Sequence, residues 1–457
     1  MSTILETLSA KLAASIAAHR LPGAAIAVLW KGQLYEAAAG VTNSATGVPV
    51  TSDTIFPFGS ISKTITATMV LRLVDQGKLG LDAPARSYVP EFDPVEPLLA
   101  DITIRQLLSH CSGLVGTIFQ DTGRNEDALA RQIVLINSEP MQHRPGALLS
   151  YCNSGMLLLG RCIETASGQP WDVALQTLVA EPLKLDALVA RPEFALRHLF
   201  AVGHVRYPGN PEWKVDPHPF LLHGHSPAGS TPAGRARDLV AMAEAYLHGN
   251  LLRPETAAAA WSVQMPASYS GSLLGWGLGW SLFDWGGKRI VAHDGSTAGT
   301  RAHLRIVPED ELVVALLVNA PTGMVVYEDV VGALCRDLIG VFEASASDMP
   351  IAPIADLGNI LGEFGDHILR LTVSVEADGP YLTIAPRANP LHKAMSRLPI
   401  IPSGPDAFYL TGAGPLFYPL APELSTRLVR GFQFVNIPGS GGGDFLCNGA
   451  STFKRIE

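Results

Sequence analysis

The chain has 457 residues, of which 47% are hydrophobic and 16% are charged, and its formal net charge is −9. This length exceeds one ordinary hydrophobic core and predicts two globular domains. The negative charge disfavours nucleic acids and anionic membrane surfaces as partners.

Five widely spaced cysteines without a C-x-x-C pair indicate reduced thiols. Residues 1–19 lack the apolar core of a signal peptide, and no segment approaches the ~20 apolar residues that span a bilayer. We therefore expect a soluble, cytoplasmic protein.

The first three quarters of the chain mix helical and strand patterns. Apolar spacing predicts a strand hairpin at 23–41 and, after it, a buried helix over 61–74 that ends at Gly77. Further helices are predicted at 102–113, 125–138, 156–165, 236–248 and 325–342, and strands at 276–283, 289–293, 303–307 and 312–318. The irregular stretch 190–225 is expected to form a surface wall or lid. The first strand pair and the last strands can form one antiparallel sheet with helices around it.

The last hundred residues have a different character. Residues 343–355 contain Pro350 and Pro353 and are interpreted as a linker. Beyond them, two β-prone runs flank Asp378 and Gly379, which is a strong hairpin signal. Other alternating runs follow at similar spacing, as in a small all-β barrel. We therefore predict a catalytic domain at 1–342, a linker at 343–355 and a β-barrel domain at 356–457.

Ser60 and Lys63 form an S-x-x-K pattern at the start of the helix predicted over 61–74. Residues i and i+3 share a helix face, so the Lys63 amine can lie beside the Ser60 hydroxyl and take its proton. The helix N-terminus adds a positive field that stabilises an alkoxide. Such a pattern also arises by chance, and a second copy, Ser451 and Lys454, stands in a predicted strand where the two residues face opposite sides. Ser60 is therefore the candidate nucleophile.

Tyr151 and Asn153 form the Y-x-N pattern of the chain, in a predicted turn before a helix. Taken alone, such a pair is more often a surface turn than part of a site. Close to Lys63, the phenol can have its pKa lowered by that charge and can relay a proton. Asn153 can hold Lys63 in place and bind a substrate amide oxygen.

His293, Asp294 and Gly295 form an H-x-G pattern at the end of a predicted sheet strand. A lone histidine there is more often structural than catalytic. A glycine at a strand end lets a substrate backbone approach closely. The N–H of Ser296 can then join the N–H of Ser60 in an oxyanion hole.

In this order, the three patterns resemble the motifs of the serine β-lactamase and penicillin-binding protein superfamily, on its class C β-lactamase side. The resemblance covers residues 10–340 and implies an α+β fold with an antiparallel sheet flanked by helices. It implies Ser60 as nucleophile, with Lys63 and Tyr151 as its catalytic partners. The chain departs from the family at the third motif, where His293 replaces the lysine of K-T-G. An H-x-G at this position is similar to D-aminopeptidases and related esterases, which also carry β-barrel (lipocalin-like) domains after the catalytic domain.

The sequence therefore predicts a serine hydrolase that cleaves amide or ester bonds through an acyl-enzyme, D-aminopeptidase- or esterase-like and not a dedicated β-lactamase. Whether Lys63 or Tyr151 is the base is left open. The residues expected to bind the substrate or its oxyanion are Asn153, His293, Gly295 and Ser296. Two alternatives remain, an acyltransferase or transamidase on the same site and a binding protein that stays acylated. We expect a small-molecule or peptide substrate and no cofactor or metal, and we leave a homo-oligomer open.

Overall fold

The computed structural model describes residues 6–343 apart from 207–209, 211, 250 and 269–271. Beyond residue 343 it describes the segments 361–365, 369–377, 379–387, 396–404, 407–411, 429–437, 443–448 and 451–456. The linker predicted at 343–355 lies outside the described residues except for its first residue, Glu343.

An antiparallel sheet forms the centre of the first part of the chain. The strands that precede residue 343 are β1 (Gly23–Trp30), β2 (Gln33–Gly40), β3 (Phe56–Pro57), β4 (His204–Val205), β5 (Lys214–Val215), β6 (Ala233–Gly234), β7 (Met265–Pro266), β8 (Leu273–Trp276), β9 (Ser281–Trp285), β10 (Lys288–Thr297), β11 (Thr300–Val307) and β12 (Leu312–Val318). Eight of them form one sheet in the order β2-β1-β12-β11-β10-β9-β8-β7. As the sequence predicts, the N-terminal hairpin joins this sheet, because its strand β1 pairs with β12. Both β1 and β12 are apolar on both faces. The strand predicted at 276–283 is wrong in extent, since the chain turns between β8 and β9.

Helices cover both faces of this sheet. They are α1 (Leu8–Ala18), α2 (Ser62–Asp75), α3 (Ile104–Leu108), α4 (Ala128–Asn137), α5 (Asn153–Ser167), α6 (Trp171–Leu175), α7 (Glu181–Leu183), α8 (Pro192–Ala195), α9 (Ala236–Leu247), α10 (Pro254–Ala260), α11 (Met324–Val326) and α12 (Gly332–Ile339). Alternate residues of β1 point to opposite faces. Ala25 and Ala27 lie in the core that contains α2 and α5, whereas Ala24 and Ile26 lie in the core that contains α1 and α12.

Two predicted helices differ from the structure. The helix predicted over 102–113 is only α3, which begins after a capping box between Thr103 and Gln106. It stops at Leu108 because His110 takes a positive φ of 53° that a helix cannot contain. The helix predicted over 325–342 is divided into α11, a π-helical turn (Tyr327–Val331) and α12.

The C-terminal part is a separate all-β unit. Its strands are β13 (Gly362–Gly365), β14 (Leu369–Glu376), β15 (Gly379–Pro386), β16 (Ser396–Gly404), β17 (Ala407–Thr411), β18 (Val429–Ile437), β19 (Gly443–Asn448) and β20 (Ser451–Arg455). They form a closed barrel, in which β13 pairs with both β14 and β20. The barrel prediction is therefore confirmed. Closure leaves no unpaired sheet edge.

The barrel touches the first part of the chain close to Tyr151. Phe445 and Cys447 of β19 form one apolar cluster with Leu148. The Thr452 hydroxyl of β20 donates a hydrogen bond of 2.9 Å to the carbonyl of Leu149. The barrel thus contacts the backbone two residues before Tyr151. Among the described residues, no helix is both long and apolar enough to cross a bilayer.

Candidate active site

Ser60 lies in a short 3-10 turn (Gly59–Ile61) that continues directly into α2. The sequence analysis places Ser60 at the N-terminal end of the helix, and in the structure it lies two residues before Ser62, the first α-helical residue. The N-terminal end of α2 therefore lies beside the Ser60 hydroxyl. The free N–H groups of such an end favour developing negative charge.

Lys63 is fully buried on the first turn of α2. Its Nζ donates to Ser60 Oγ at 2.9 Å and to the carbonyl oxygen of Ala228 at 2.5 Å. Ala228 ends the 3-10 helix His223–Ala228, which begins inside the stretch 190–225 that the sequence analysis leaves irregular. The carbonyl of Ala228, and not the side chain of Asn153, therefore holds the lysine in place.

The environment of Lys63 favours the neutral amine. Burial lowers the pKa of Lys63 to about 7. The charge of Lys63, when present, depresses the pKa of three buried histidines, His110, His225 and His293, and burial is the larger cause in each case. A large fraction of Lys63 is therefore unprotonated at neutral pH and can accept a proton.

Tyr151 lies immediately before α5, with its ring 4.8 Å from Lys63 Nζ. The sequence analysis predicts that Lys63 lowers the pKa of this phenol, and that prediction is wrong. Burial raises the pKa of Tyr151 above its usual range, and an interaction with the Ser60 side chain opposes the shift only in part. A charged phenolate loses its hydration when it is buried, and a largely neutral lysine does not repay that loss. Tyr151 is thus protonated at neutral pH.

Asn153 is the first residue of α5, and its side chain faces a different partner from the one expected. Its Nδ2 donates to Thr117 Oγ1 at 2.7 Å. Among the described residues, the hydrogen-bond partners of Lys63 Nζ are Ser60 and Ala228. The predicted contact between Asn153 and Lys63 is therefore absent there, while a role in substrate binding stays a prediction.

His293 lies on β10, the strand that runs beside the Ser60 turn, and it is 3% exposed. Its Nδ1 lies 2.7 Å from the carbonyl oxygen of Asp294, so Nδ1 carries the proton and Nε2 is an acceptor. Nε2 is buried without a hydrogen-bond partner among the described residues. Burial lowers the pKa of His293 to about 4. The imidazole is therefore neutral over a wider pH range than the unperturbed value near ~6.5 implies.

Asp294 points to the opposite face of β10, as the strand pattern predicts. Its carboxylate accepts from His303 Nδ1 and from Arg305 Nη1, each at 2.8 Å. Arg305 also donates to the Tyr327 hydroxyl at 2.8 Å. These contacts anchor β10 through the face opposite to the one that carries His293.

Two glycines allow β10 to approach the Ser60 turn. A Cβ on Gly295 would lie 1.9 Å from the carbonyl oxygen of Phe58, and a Cβ on Gly59 would lie 2.5 Å from the backbone nitrogen of Ser296. Gly59 also has a positive φ of 54°. Any side chain at either position would push the strand away from Ser60. The backbone nitrogen of Ser296 is thus next to the Ser60 turn, which is the placement that an oxyanion hole requires.

Sequence reasoning missed two further contributors, Ala228 and His110. Ala228 acts through its backbone carbonyl, which carries no residue-type signal. His110 is buried against Tyr151, with 4.5 Å between ring centroids. It lies outside the three patterns on which the sequence analysis rests, and a single buried histidine carries little signal of its own. Within the described part of the chain, no group of three or more His, Cys, Asp or Glu side chains is arranged to hold a metal ion.

A serine beside a buried, largely neutral lysine and a protonated tyrosine, on a helix packed against an antiparallel sheet, defines a serine hydrolase. The beta-lactamase family model matches residues 8–331. Penicillin-binding protein 4 of Amycolatopsis lactamdurans is 37% identical over 358 residues, which is 74% of this chain and 93% of that protein. The chain therefore belongs to the beta-lactamase family, within the serine β-lactamase and penicillin-binding protein superfamily.

Two further similarities extend this result. Esterase EstB of Burkholderia gladioli is 36% identical over 184 residues, 36% of this chain and 46% of the esterase. The crystal structure of SurE covers 99% of both chains with a TM-score of 0.78 at 28% identity, and SurE has also been solved with D-Leu. The similarity to SurE thus includes the barrel as well as the sheet and its helices.

Proposed function

We propose that this chain hydrolyses amide or ester bonds through an acyl-enzyme on Ser60. The observation that carries the proposal is the 2.9 Å hydrogen bond between the buried Lys63 amine and Ser60 Oγ. A serine hydroxyl is a weak nucleophile until an adjacent base takes its proton, and this contact has the length of a proton-transfer hydrogen bond.

We assign the two candidate bases to different roles, and the pKa shifts of Lys63 and Tyr151 support this assignment. Neutral Lys63 takes the Ser60 proton as Oγ attacks the carbonyl carbon. Tyr151, protonated at the start, gives its proton to the leaving group and takes from Lys63 the proton that came from Ser60. The backbone N–H groups of Ser60 and Ser296 hold the oxyanion. Water then attacks the acyl carbon and gives a proton to Lys63, which returns it to Ser60 Oγ as the acyl–oxygen bond breaks.

For the acyl group, we propose a D-configured aminoacyl or peptidyl unit. The H-x-G pattern at His293 is similar to D-aminopeptidases, and SurE binds D-Leu in a structure that matches the whole chain. A neutral His293 offers a hydrogen-bond acceptor at Nε2 and no charge for a substrate carboxylate. Uncharged esters, amides and N-terminal aminoacyl groups fit this site better than acids do.

A turnover screen tests the proposal. It pairs D- and L-aminoacyl amides and p-nitrophenyl esters, with the cephalosporin nitrocefin as a β-lactam probe. The proposal predicts multiple turnovers of an ester or amide, a faster D- than L-enantiomer and little nitrocefin hydrolysis. Addition of an amine nucleophile to the same reactions detects acyl transfer as a second product. Nitrocefin as the best substrate would contradict the assignment.

One observation favours a second candidate function, that of a protein that becomes acylated and releases its acyl group only slowly. The relative from Amycolatopsis lactamdurans is a penicillin-binding protein, and it shares 37% identity over most of both chains. For this function, a burst of one acyl group per chain is expected with no steady turnover on any ester or amide. Steady turnover would exclude it.

His293 is expected to set the preference against carboxylate-bearing substrates. A charge-assisted hydrogen bond is worth roughly 1.5–3 kcal/mol, so a lysine at this position should strengthen their binding about ten- to a hundredfold. His293→Lys should therefore lower KM for benzylpenicillin by about that factor. The pKa of His293, about 4, also means that the histidine gains no charge as pH falls from 8 to about 6. Any change in carboxylate binding over that range should then come from Lys63, whose pKa is about 7, and should persist in His293→Ala.

The control for this prediction is His293→Ala, which removes the ring without adding a charge. Stopped-flow or steady-state kinetics on benzylpenicillin and on an uncharged ester give the comparison. Efficient penicillin hydrolysis by the unmodified protein at pH 8, unchanged in His293→Ala, would show that this position does not set the preference.

We further propose that residues 356–457 are a separate domain that shapes the cleft and performs no chemistry. The contacts of Thr452 and Phe445 with residues 148 and 149 support this, because they reach the segment that carries Tyr151. Deleting residues 356–457 should change the substrate preference, while a fluorophosphonate still labels Ser60. Thr452→Val in the full chain is the matched control for the hydrogen bond alone. If all the substitutions that abolish activity in well-folded variants lay beyond residue 356, the proposed division between the catalytic domain and the barrel domain would be wrong.

A further inference from the structure

His110 is a fully buried histidine between Tyr151 and the sheet. Its ring centroid lies 4.5 Å from that of Tyr151 and 4.9 Å from that of Trp276 on β8. The same two aromatic rings also border His293. The rings of His110, Trp276 and His293 thus border Tyr151, and that of His110 is the nearest of the three.

His110 also binds both neighbours of Tyr151. Its backbone carbonyl accepts the N–H of Ser150 at 2.7 Å, and its ring Nδ1 accepts the N–H of Cys152 at 3.2 Å. Because Nδ1 is an acceptor, the ring proton lies on Nε2 and the imidazole is neutral. One residue therefore fixes the backbone on each side of Tyr151 and packs on its ring.

The backbone of His110 has an uncommon conformation. Its φ is +53°, a region that non-glycine residues seldom occupy and that Asn, Asp and His tolerate best. Such conformations persist where the surrounding contacts determine them, and they concentrate at functional sites. In this conformation the ring and the carbonyl of His110 both face the segment Ser150–Cys152.

We propose that His110 is a positioning residue that holds the Tyr151 hydroxyl in line for proton relay between Lys63 and the leaving group. This inference rests on the proposed function. The titratable groups that face His110 are Lys63 on α2, His293 on β10, and Tyr151 and Cys152 before α5. A proton on Nδ1 would remove the acceptor for Cys152 N–H and place a cation beside Lys63. Burial and the charge of Lys63 keep the pKa of His110 well below its ordinary value, so the ring stays neutral near pH ~7.

The test compares two variants that both tolerate a positive φ. His110→Gly removes the ring and its acceptor, whereas His110→Asn keeps a side-chain oxygen that can accept from Cys152 N–H. Each is assayed on the p-nitrophenyl ester and the p-nitroanilide of the best acyl group from the turnover screen. The p-nitrophenolate group leaves without a proton, but the anilide nitrogen must be protonated. A failure of tyrosine positioning therefore appears mainly with the anilide.

We expect His110→Gly to reduce kcat on the anilide about a hundredfold, the effect of misplacing a catalytic group by about 1 Å, and to reduce kcat on the ester much less. His110→Asn should recover at least about tenfold of that loss, if the acceptor for Cys152 N–H is what orients the segment. Equal losses on the two substrates would overturn the proposal. So would a His110→Asn protein as slow as His110→Gly.

His204→Ala is the matched control for folding. His204 is also a buried histidine that accepts a backbone N–H, from Ser44 at 3.0 Å, and its Nδ1 lies 2.9 Å from the carbonyl of Asn319; neither partner is a residue proposed for catalysis. It should lower the thermal unfolding midpoint without changing the ratio of anilide to ester turnover. Ser60→Ala separates the two levels of the argument. If Ser60→Ala still turned over both substrates, the proposed function would fail; if it were inactive and the ratio in His110→Gly were unchanged, only the role of His110 would fail.

Discussion

Replacing Ser60 with alanine is expected to reduce kcat for every ester and amide substrate by on the order of 10⁴-fold, because loss of an activated nucleophile removes the covalent route entirely. The fold should be preserved, since Ser60 is in a turn and its hydroxyl interacts with Lys63 and Tyr151, which both belong to the site. Steady-state kinetics with matched circular dichroism and thermal unfolding measure the two effects separately.

Ser451→Ala is the control for this prediction. Ser451 and Lys454 repeat the S-x-x-K spacing on β20, which is a strand and not a helix. This variant should retain the turnover of the unmodified protein. Activity that survives in Ser60→Ala and is lost in Ser451→Ala would reverse the assignment.

Replacing Lys63 should also cause a large loss of activity, because the site needs an unprotonated amine at this position to take the Ser60 proton. An arginine keeps a cation at this position but is always protonated, so Lys63→Arg cannot take the Ser60 proton. Lys63→Met removes the amine and keeps an apolar chain of similar length. We expect both variants to lose on the order of 10³-fold or more in the rate of acylation. Rapid-mixing kinetics with a p-nitrophenyl ester measure this rate directly.

The pH dependence of the unmodified protein follows from the same group. A base acts in its unprotonated form, and burial lowers the pKa of Lys63 to about 7. Acylation should therefore be slow below this pKa, rise as pH increases through about 7 and level off above it. Tyr151, whose pKa is raised, stays protonated throughout this rise. An acylation rate that falls as pH increases through 7, or an active Lys63→Arg, would contradict Lys63 as the base.

The sequence was sufficient for the parts of the site that depend on local spacing. Ser60 and Lys63 lie three residues apart where the 3-10 turn continues into α2, and helical geometry brings the two side chains together. Alternation along β10 likewise predicts that His293 and Asp294 point to opposite faces. The barrel follows from short alternating strands joined by turn residues.

The sequence was not sufficient where backbone groups or burial decide the outcome. The carbonyl of Ala228 reaches Lys63 from 165 residues away along the chain, and no residue type marks such a contact. The expected partner, Asn153, instead donates to Thr117. The direction of the Tyr151 pKa shift depends on how fully the ring is desolvated, which spacing does not reveal. For the same reason, the sequence left the choice between Lys63 and Tyr151 open.

Mass mapping of a trapped acyl-enzyme tests the central claim most directly. The protein is reacted with a slowly released ester or a fluorophosphonate at several pH values between about 5.5 and 8.5, quenched in acid, digested and analysed by tandem mass spectrometry. The account predicts one adduct on Ser60, formed faster as pH rises through about 7 and lost in Ser60→Ala. An adduct on another residue, or labelling that persists in Ser60→Ala, would contradict it.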